Sequence, residues 1–105
     1  MAGVTELNDA NFTETIKQGV TLVDFWAPWC APCLIQSPIV EKVAEKAGNK
    51  AKVAKVNVDE AQQAAAELGI RAIPTVFVFK DGKPFQQFVG LTQEDKLISA
   101  IDEAQ

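Results

Sequence analysis

An almost unbroken apolar segment, Val20–Ala27 with the sequence VTLVDFWA, constrains the fold of this chain most strongly. A strand this apolar is typical of the inside of a sheet, where other elements cover both of its faces. Helical patterns and further strand patterns alternate along the rest of the chain. This alternation predicts an α/β arrangement in which helices cover a parallel or mixed sheet.

The predicted order of elements is β-α-β-α-β-α-β-β-α. The predicted strands are Val4–Leu7, Val20–Ala27, Val53–Val58, Thr75–Phe79 and Phe85–Val89, the last two joined by a turn at Asp81-Gly82. Four helices are predicted. The first carries Phe12, Ile16 and Lys17, the second spans Pro32–Ala47, the third spans Glu60–Leu68, and the last carries Leu97, Ile98 and Ile101. The first three helices are predicted to end at Gly19, Gly48 and Gly69, respectively.

Two kinds of local detail are also predicted. Helix caps are expected from Asn8 or Asp9 for the first helix, and from a Thr92–Asp95 capping box for the last. Core positions are expected at the four-residue spacing of Ile35, Ile39 and Val43, and at Phe12, Phe77 and Phe79.

Length and charge exclude several classes of protein. A chain of 105 residues with 48% hydrophobic residues is predicted to form one domain, residues 1–105. Ten Lys and Arg residues against 14 Asp and Glu give a net charge of −4, with no basic block for nucleic acid or an anionic membrane. The first twenty residues lack the pattern of a signal peptide, so we expect a cytoplasmic location.

The chain contains no histidine. Catalysis by Ser/His or Cys/His pairs and metal binding through imidazole are therefore excluded. Any acid–base step must use a carboxylate, a lysine or water.

The only two cysteines, Cys30 and Cys33, have C-x-x-C spacing, and three interpretations compete. A structural zinc site needs about four ligands, so a single pair without histidine disfavours it, and we predict no metal site. A structural disulfide closing so short a loop would stabilise the fold by only about 2 kcal/mol. Redox catalysis fits best, because Cys30 lies between a buried strand and a helix start, where a thiolate is stabilised and a neighbouring thiol can resolve a mixed disulfide.

The segments around this pair resemble the thioredoxin family. The resemblance rests on VDFWAPWCAPC at residues 23–33, KVNVD at 55–59, IRAIPT at 70–75, FKDG at 79–82 and VG at 89–90. It covers essentially the whole chain, in order and without a large insertion. It implies a central mixed five-stranded sheet flanked by four helices.

The resemblance also implies an activity: reduction of protein disulfides by dithiol–disulfide exchange, with Cys30 as nucleophile and Cys33 as resolving thiol. No bound cofactor would be needed, because the redox-active Cys30–Cys33 pair carries the electrons itself. A thioredoxin reductase would return the protein to the dithiol state, disulfide-containing client proteins would be its substrates, and the protein would be a monomer.

Further roles follow from the same resemblance. Asp24, an acidic residue inside an apolar strand, would assist proton transfer at Cys33, with Lys55 as a possible charge partner; alternatively it reaches water at a strand end or is simply paired with Lys55. A cis bond before Pro74 would leave the backbone of Ile73 free to pair with a substrate strand. The docking surface would comprise Trp29, Ala72, Ile73, Pro74 and Gly90, with Trp26 and Pro32 in supporting positions.

Three residues depart from the family pattern. Ala31 and Ala72 stand where glycine is frequent, and Leu34 stands where lysine or arginine is common. Leu34 removes a cation near the thiolate, and Ala31 should alter the balance between dithiol and disulfide, although its direction does not follow from sequence. Two other functions are considered: an oxidase or isomerase on the same fold, and a binding module whose redox state is irrelevant.

Overall fold

A computed structural model describes residues 3–105, which form one five-stranded mixed sheet. The strand order is β1-β3-β2-β4-β5. Strand β3 is parallel to both β1 and β2, β4 is antiparallel to β2, and β5 is antiparallel to β4. The strands are β1 (Val4–Leu7), β2 (Val20–Trp26), β3 (Lys52–Asn57), β4 (Thr75–Lys80) and β5 (Lys83–Val89). The predicted mixed sheet and the central position of β2 are confirmed.

Four α-helices flank the sheet, as predicted: α1 (Phe12–Ile16), α2 (Ala31–Ala47), α3 (Gln62–Glu67) and α4 (Glu94–Ala104). A short 3₁₀ turn, Gly48–Lys50, follows α2, and Gly48 adopts a φ of 55° where the helix ends. Asp81 and Gly82 have φ of 51° and 86°, which forms the tight turn between β4 and β5. None of the helices in residues 3–105 combines the length and apolar character needed to cross a bilayer.

Alternation of side chains along the strands divides the core into two layers. Val20 and Leu22 of β2 face α2 and α4, where they pack with Val40, Val43, Leu97 and Ile101. Val23 and Phe25 face the other side and pack with residues of α1 and α3. The rings of Phe12, Phe25, Phe77 and Phe79 meet there at centroid distances of 5.3–6.0 Å, so the predicted aromatic core is confirmed.

The predicted apolar face of α2 is wrong at Ile35, whose side chain is 56% exposed. Ile39 is only partly buried, and Val43 alone of the three is fully buried. The buried positions of α2 are instead Cys33, Gln36, Val40, Val43 and Ala47. Their alternating spacing of three and four residues is that of one helix face, and this face begins at Cys33.

The predicted Thr92–Asp95 capping box is wrong, and of the two caps predicted before α1 only Asn8 provides a capping oxygen there. Gln93, not Thr92, precedes the first residue of α4, and the Thr92 hydroxyl donates to Gly90 O at 3.0 Å instead of capping the helix. Asn8 Oδ1 accepts from the backbone N–H groups of Ala10 and Asn11 in the turn before α1. Asp9 caps a different helix: its carboxylate accepts from Gln63 N at 3.3 Å and from Ala64 N at 2.9 Å, at the start of α3. A cap across this sequence distance is created by tertiary folding and has no local signature.

Candidate active site

The two cysteines lie where β2 ends and α2 begins. Cys30 has extended backbone angles (φ −95°, ψ 108°) and is the N-cap residue of α2, followed by Ala31 and Pro32 in the first turn. Pro32 is suited to this turn, because its nitrogen has no hydrogen to leave unpaired and its fixed φ is helical. The Cys33 N–H donates to Cys30 Sγ at 3.2 Å. The first sulfur therefore occupies the position of an N-cap acceptor.

Cys30 and Cys33 are joined in a disulfide whose Cα atoms are 5.2 Å apart. Both cysteines are buried, with 5% and 1% of the residue surface exposed, and they pack against Ala27 and the partly buried Trp26, Val58 and Ile73. When the bond is reduced, the helix N-terminus and the Cys33 N–H favour negative charge on the Cys30 sulfur. Cys33 is the third residue of α2 and nearly fully buried, and its own N–H is the donor to Cys30 Sγ.

Asp24 lies beneath the start of α2. It occupies the same face of β2 as Leu22, and this face is covered by the stripe of α2 that begins with Cys33. The side chain is 2% exposed, and within residues 3–105 its Oδ1 atom has no hydrogen-bond partner. Burial raises the pKa of Asp24 from its ordinary 3.8 to about 7, an effect that the nearby charge of Lys55 partly opposes. The alternative in which Asp24 reaches water at a strand end is therefore wrong.

Lys55 is aligned with Asp24 on the neighbouring strand β3. Its ammonium nitrogen lies 5.1 Å from the centroid of the Trp26 ring and 3.9 Å from Glu6 Oε1. The Lys55 ammonium group therefore interacts with the Trp26 ring and with Glu6, and its charge acts on Asp24 only at a distance. It does not form a direct ion pair with Asp24. Trp26 is half-buried and packs against the cysteines.

The segment before β4 brings backbone groups close to the disulfide. The Ile73–Pro74 bond is cis, as the resemblance implied, and Ile73 O lies 3.7 Å from Cys30 Sγ. The Thr75 hydroxyl donates to Ala72 O at 2.6 Å, and Gly90 N donates to Pro74 O at 2.8 Å. Ala72, Ile73, Pro74 and Gly90 are therefore connected around one edge of the disulfide.

Among residues 3–105, Trp29 is the most exposed large apolar residue, with 69% of its surface open to solvent. Its indole N–H donates to Asp59 Oδ2 at 2.8 Å, which fixes the ring beside the cysteines. The ring borders an open groove of about 160 Å³ together with Val58, Ala65, Ile70, Arg71, Ala72 and Ile73. The structure thus brings Trp29, Ala72 and Ile73 onto one surface, while Gly90 reaches it through its contact with Pro74.

Sequence interpretation missed Gln36, a fully buried amide one turn after Cys33. Its Nε2 donates to Thr92 O at 2.9 Å, and its Oε1 accepts from Thr92 N at 2.8 Å. The signal was present in the sequence, because Gln36 falls on the stripe that runs from Cys33 through Val40. A core position at Ile35 implies that Gln36 faces solvent, which is the opposite of the observed orientation of α2.

Comparison with known proteins agrees with this geometry. The thioredoxin family model matches residues 3–103. The chain belongs to the thioredoxin family. It is similar to thioredoxins of Staphylococcus haemolyticus (41% identity over 99 residues) and Staphylococcus aureus (39%), in each case over 94% of this chain and 95% of the relative. A mutant thioredoxin from Halobacterium salinarum superposes with a TM-score of 0.88 at 36% identity, covering 96% of this chain and 89% of the other.

As a member of the thioredoxin family, the chain is a protein-disulfide oxidoreductase that works by dithiol–disulfide exchange through a Cys30–Cys33 pair. Thioredoxins in general exchange electrons with a reductase and with disulfide-containing clients. Two of the departures from the family pattern lie at the surface beside the pair: Ala31 is exposed, and Leu34 is 58% exposed. In the part of the chain that the structure describes, no group of three or more His, Cys, Asp or Glu could hold a metal.

Proposed function

We propose that Cys30 is the nucleophile and Cys33 the resolving thiol in the reduction of protein disulfides. The observation that carries this proposal is the N-cap position of Cys30, whose sulfur accepts from Cys33 N–H at 3.2 Å. The Cys30 thiolate attacks one sulfur of the substrate disulfide, forming a mixed disulfide and releasing one substrate thiolate. Cys33 then loses its proton and attacks the Cys30 sulfur, which releases the second substrate thiolate. Two electrons pass to the substrate, and the protein is left with the Cys30–Cys33 bond.

The second step needs a group that accepts the Cys33 proton, and Asp24 is the proposed acceptor. It lies on the face of β2 that the Cys33 end of α2 covers, and burial raises its pKa to about 7. A carboxyl group with a pKa near the working pH can take up a proton and return it, which an ordinary surface aspartate cannot do efficiently. Lys55 moderates this pKa through its charge and is a supporting residue. No bound cofactor enters these steps, because the sulfur atoms themselves hold the transferred electrons.

Trp29, Ala72, Ile73, Pro74 and Gly90 are the proposed docking surface for an extended segment of the client protein. An exposed indole beside an apolar groove supports this role, since large apolar groups at the surface commonly mark binding sites. The carbonyl of Ile73, 3.7 Å from Cys30 Sγ, places a backbone acceptor next to the reacting sulfur. A client strand that paired there would bring its own disulfide to Cys30.

Replacing Trp29 by alanine tests the docking surface. The Trp29→Ala protein should require about a tenfold higher concentration of insulin for half-maximal rate in single-turnover oxidation of the reduced protein, the loss typical of an exposed aromatic anchor. Its rate with a small aromatic disulfide should change by less than about twofold, because such a reagent buries little surface. An unchanged half-saturating concentration of insulin would contradict the docking role.

The proposed direction of the reaction is reduction, in the cytoplasm, by a single-domain monomer whose dithiol is restored by a thioredoxin reductase. Family membership supports the reductase and the client proteins as partner classes. The proline at position 32, directly before Cys33, also favours a reductant over an oxidase or isomerase. The acidic net charge of −4 disfavours nucleic acid and anionic membranes as partners.

Equilibration with glutathione buffers tests this direction. We expect the Cys30–Cys33 couple to have a midpoint potential more negative than that of glutathione, so that the dithiol form donates electrons to ordinary protein disulfides. The dithiol fraction would be measured by acid quenching and thiol labelling, with Trp fluorescence as an independent signal. A midpoint more positive than that of glutathione would instead identify a disulfide donor or isomerase.

A further inference from the structure

The buried amide of Gln36 is the strongest feature of the molecule that the chemistry of the cysteines does not use. Gln36 is 0% exposed and lies on α2 one turn after Cys33. Both of its amide atoms are bonded to the backbone of Thr92, a residue in the loop between β5 and α4. Burying an amide in an apolar layer stabilises a fold only when all its polar groups are satisfied. The amide thus joins the redox helix to one defined point of that loop.

Two further hydrogen bonds link Thr92 to Gly90 and Gly90 to Pro74. The Thr92 hydroxyl donates to Gly90 O at 3.0 Å, and Gly90 N donates to Pro74 O at 2.8 Å. Pro74 directly follows Ile73, whose carbonyl lies 3.7 Å from Cys30 Sγ. The hydrogen bonds therefore form a continuous path from α2 through the loop to the segment beside the disulfide. Gly90 is held from both sides along this path, by Pro74 and by Thr92.

We infer that Gln36 is a positioning residue for client binding: it fixes the distance between the Gly90 loop and the redox helix. The inference rests on the proposed docking surface, of which Gly90 and Pro74 are members. Because Gln36 forms hydrogen bonds to both the N–H and the C=O of Thr92, it holds the backbone of the loop at this residue, as a neighbouring strand would. An extended client segment lying across Ile73 and Gly90 depends on that spacing, whereas a small disulfide that reaches only Cys30 does not.

The expected substrate dependence follows from this geometry. Substitution of Gln36 should weaken the recognition of protein disulfides and leave the exchange chemistry of Cys30 intact. A purely structural role would lower the free energy of unfolding and leave client recognition unchanged. The ratio of the effects on a protein disulfide and on a small disulfide therefore separates the two roles.

The experiment measures single-turnover oxidation of the reduced protein by insulin and by a small aromatic disulfide, with acid quenching and thiol labelling. Gln36→Met keeps the length of the side chain and removes both hydrogen bonds. We expect its half-saturating insulin concentration to rise about fivefold to tenfold, equivalent to about 1.0–1.4 kcal/mol. The limiting rate and the rate with the small disulfide should stay within about twofold of the parent values.

Three further variants make the outcome decisive. Gln36→Leu is a second neutral variant of similar size without either hydrogen bond to Thr92, so an increase like that of Gln36→Met is expected, and it serves if Gln36→Met does not fold. Val43→Ala is the control for lost stability, because Val43 is a buried residue of the same helix in the core layer formed with α4. It should destabilise the protein without changing the insulin dependence. Trp29→Ala reports on the docking surface itself.

Each result has one meaning. An increase for both Gln36 variants and for Trp29→Ala, without one for Val43→Ala, supports the inference. An increase for Trp29→Ala alone overturns the role of Gln36 and leaves the docking surface intact. No increase for Trp29→Ala contradicts the docking surface, and an equal increase for Val43→Ala shows that the effect of Gln36 is only lost stability.

Discussion

Replacing Asp24 by asparagine is expected to raise the free energy of unfolding by about 4 kcal/mol at pH 9 and by about 2 kcal/mol at pH 5. The pKa of Asp24 is about 7 in the folded protein against an ordinary 3.8, so the folded state holds a proton that the unfolded chain releases. Stability therefore falls as the pH rises from 3.8 to about 7, and the full cost of the buried charge is present above that range. Asparagine has the shape of the neutral acid and removes this cost.

The measurement is urea-induced unfolding of the oxidised protein at several pH values between 4 and 9. Glu45→Gln is the matched control, because Glu45 is an exposed carboxylate on α2 and its loss should change stability by less than about 0.5 kcal/mol. The same Asp24→Asn protein should resolve its mixed disulfide more slowly near neutral pH. A parallel pH dependence of the Asp24→Asn and parent proteins would show that Asp24 is not the titrating group, and an unchanged resolution rate would exclude its role in proton transfer.

Replacing Cys33 by serine is expected to reduce turnover by about a thousandfold or more and to trap a covalent adduct. The Cys30 thiolate of this variant can still attack a substrate disulfide, but no second thiol is present to displace the substrate. One substrate chain should accumulate on each molecule of protein, and excess dithiothreitol should release it. Intact-mass measurement before and after reduction detects the adduct directly.

The Cys30→Ser protein is the matched control, because it retains one thiol of the same pair. Its remaining Cys33 is 1% exposed and lies within the first turn of α2, behind the N-cap position, so we expect neither an adduct nor turnover. Accumulation of the adduct in Cys30→Ser in place of Cys33→Ser would mean that the two thiols have the opposite roles. Equal accumulation in both variants would mean that position at the helix N-terminus does not determine which thiol attacks.

Local patterns in the sequence predicted the elements well, because helix and strand periodicity and the glycine positions are local properties. The stated strand and helix ranges agree with the observed ones to within two residues at each end, and the range of the first strand agrees at both ends. Candidate site residues could also be proposed from sequence, since Cys30 and Cys33 lie in one short motif and the flanking segments resemble one family along the whole chain. Asp24 attracted attention because a charged residue inside an apolar strand is costly unless it has a function or a partner.

Details that depend on contacts between distant segments were predicted wrongly or missed. Asp9 is next to α1 in sequence but caps α3, and Thr92 has a capping-box pattern but bonds to Gly90. Ile35 and Gln36 differ by only one position on α2, and a rotation of 100° per residue decides which of them faces the sheet. A pattern of apolar residues alone favoured Ile35, although the helix is oriented by Cys33 and Val40.

The sequence by itself determined the order of elements, the family and the pair of thiols, because these are encoded in periodicity and in contiguous motifs. Only the tertiary structure decided that Asp24 is buried, that Lys55 contacts Trp26 and Glu6 without forming an ion pair with Asp24, and that Gln36 forms hydrogen bonds to Thr92. The physical reason is that desolvation and hydrogen bonding depend on which segments enclose a group. That enclosure is set by packing between residues far apart in the chain, which spacing within one segment does not specify.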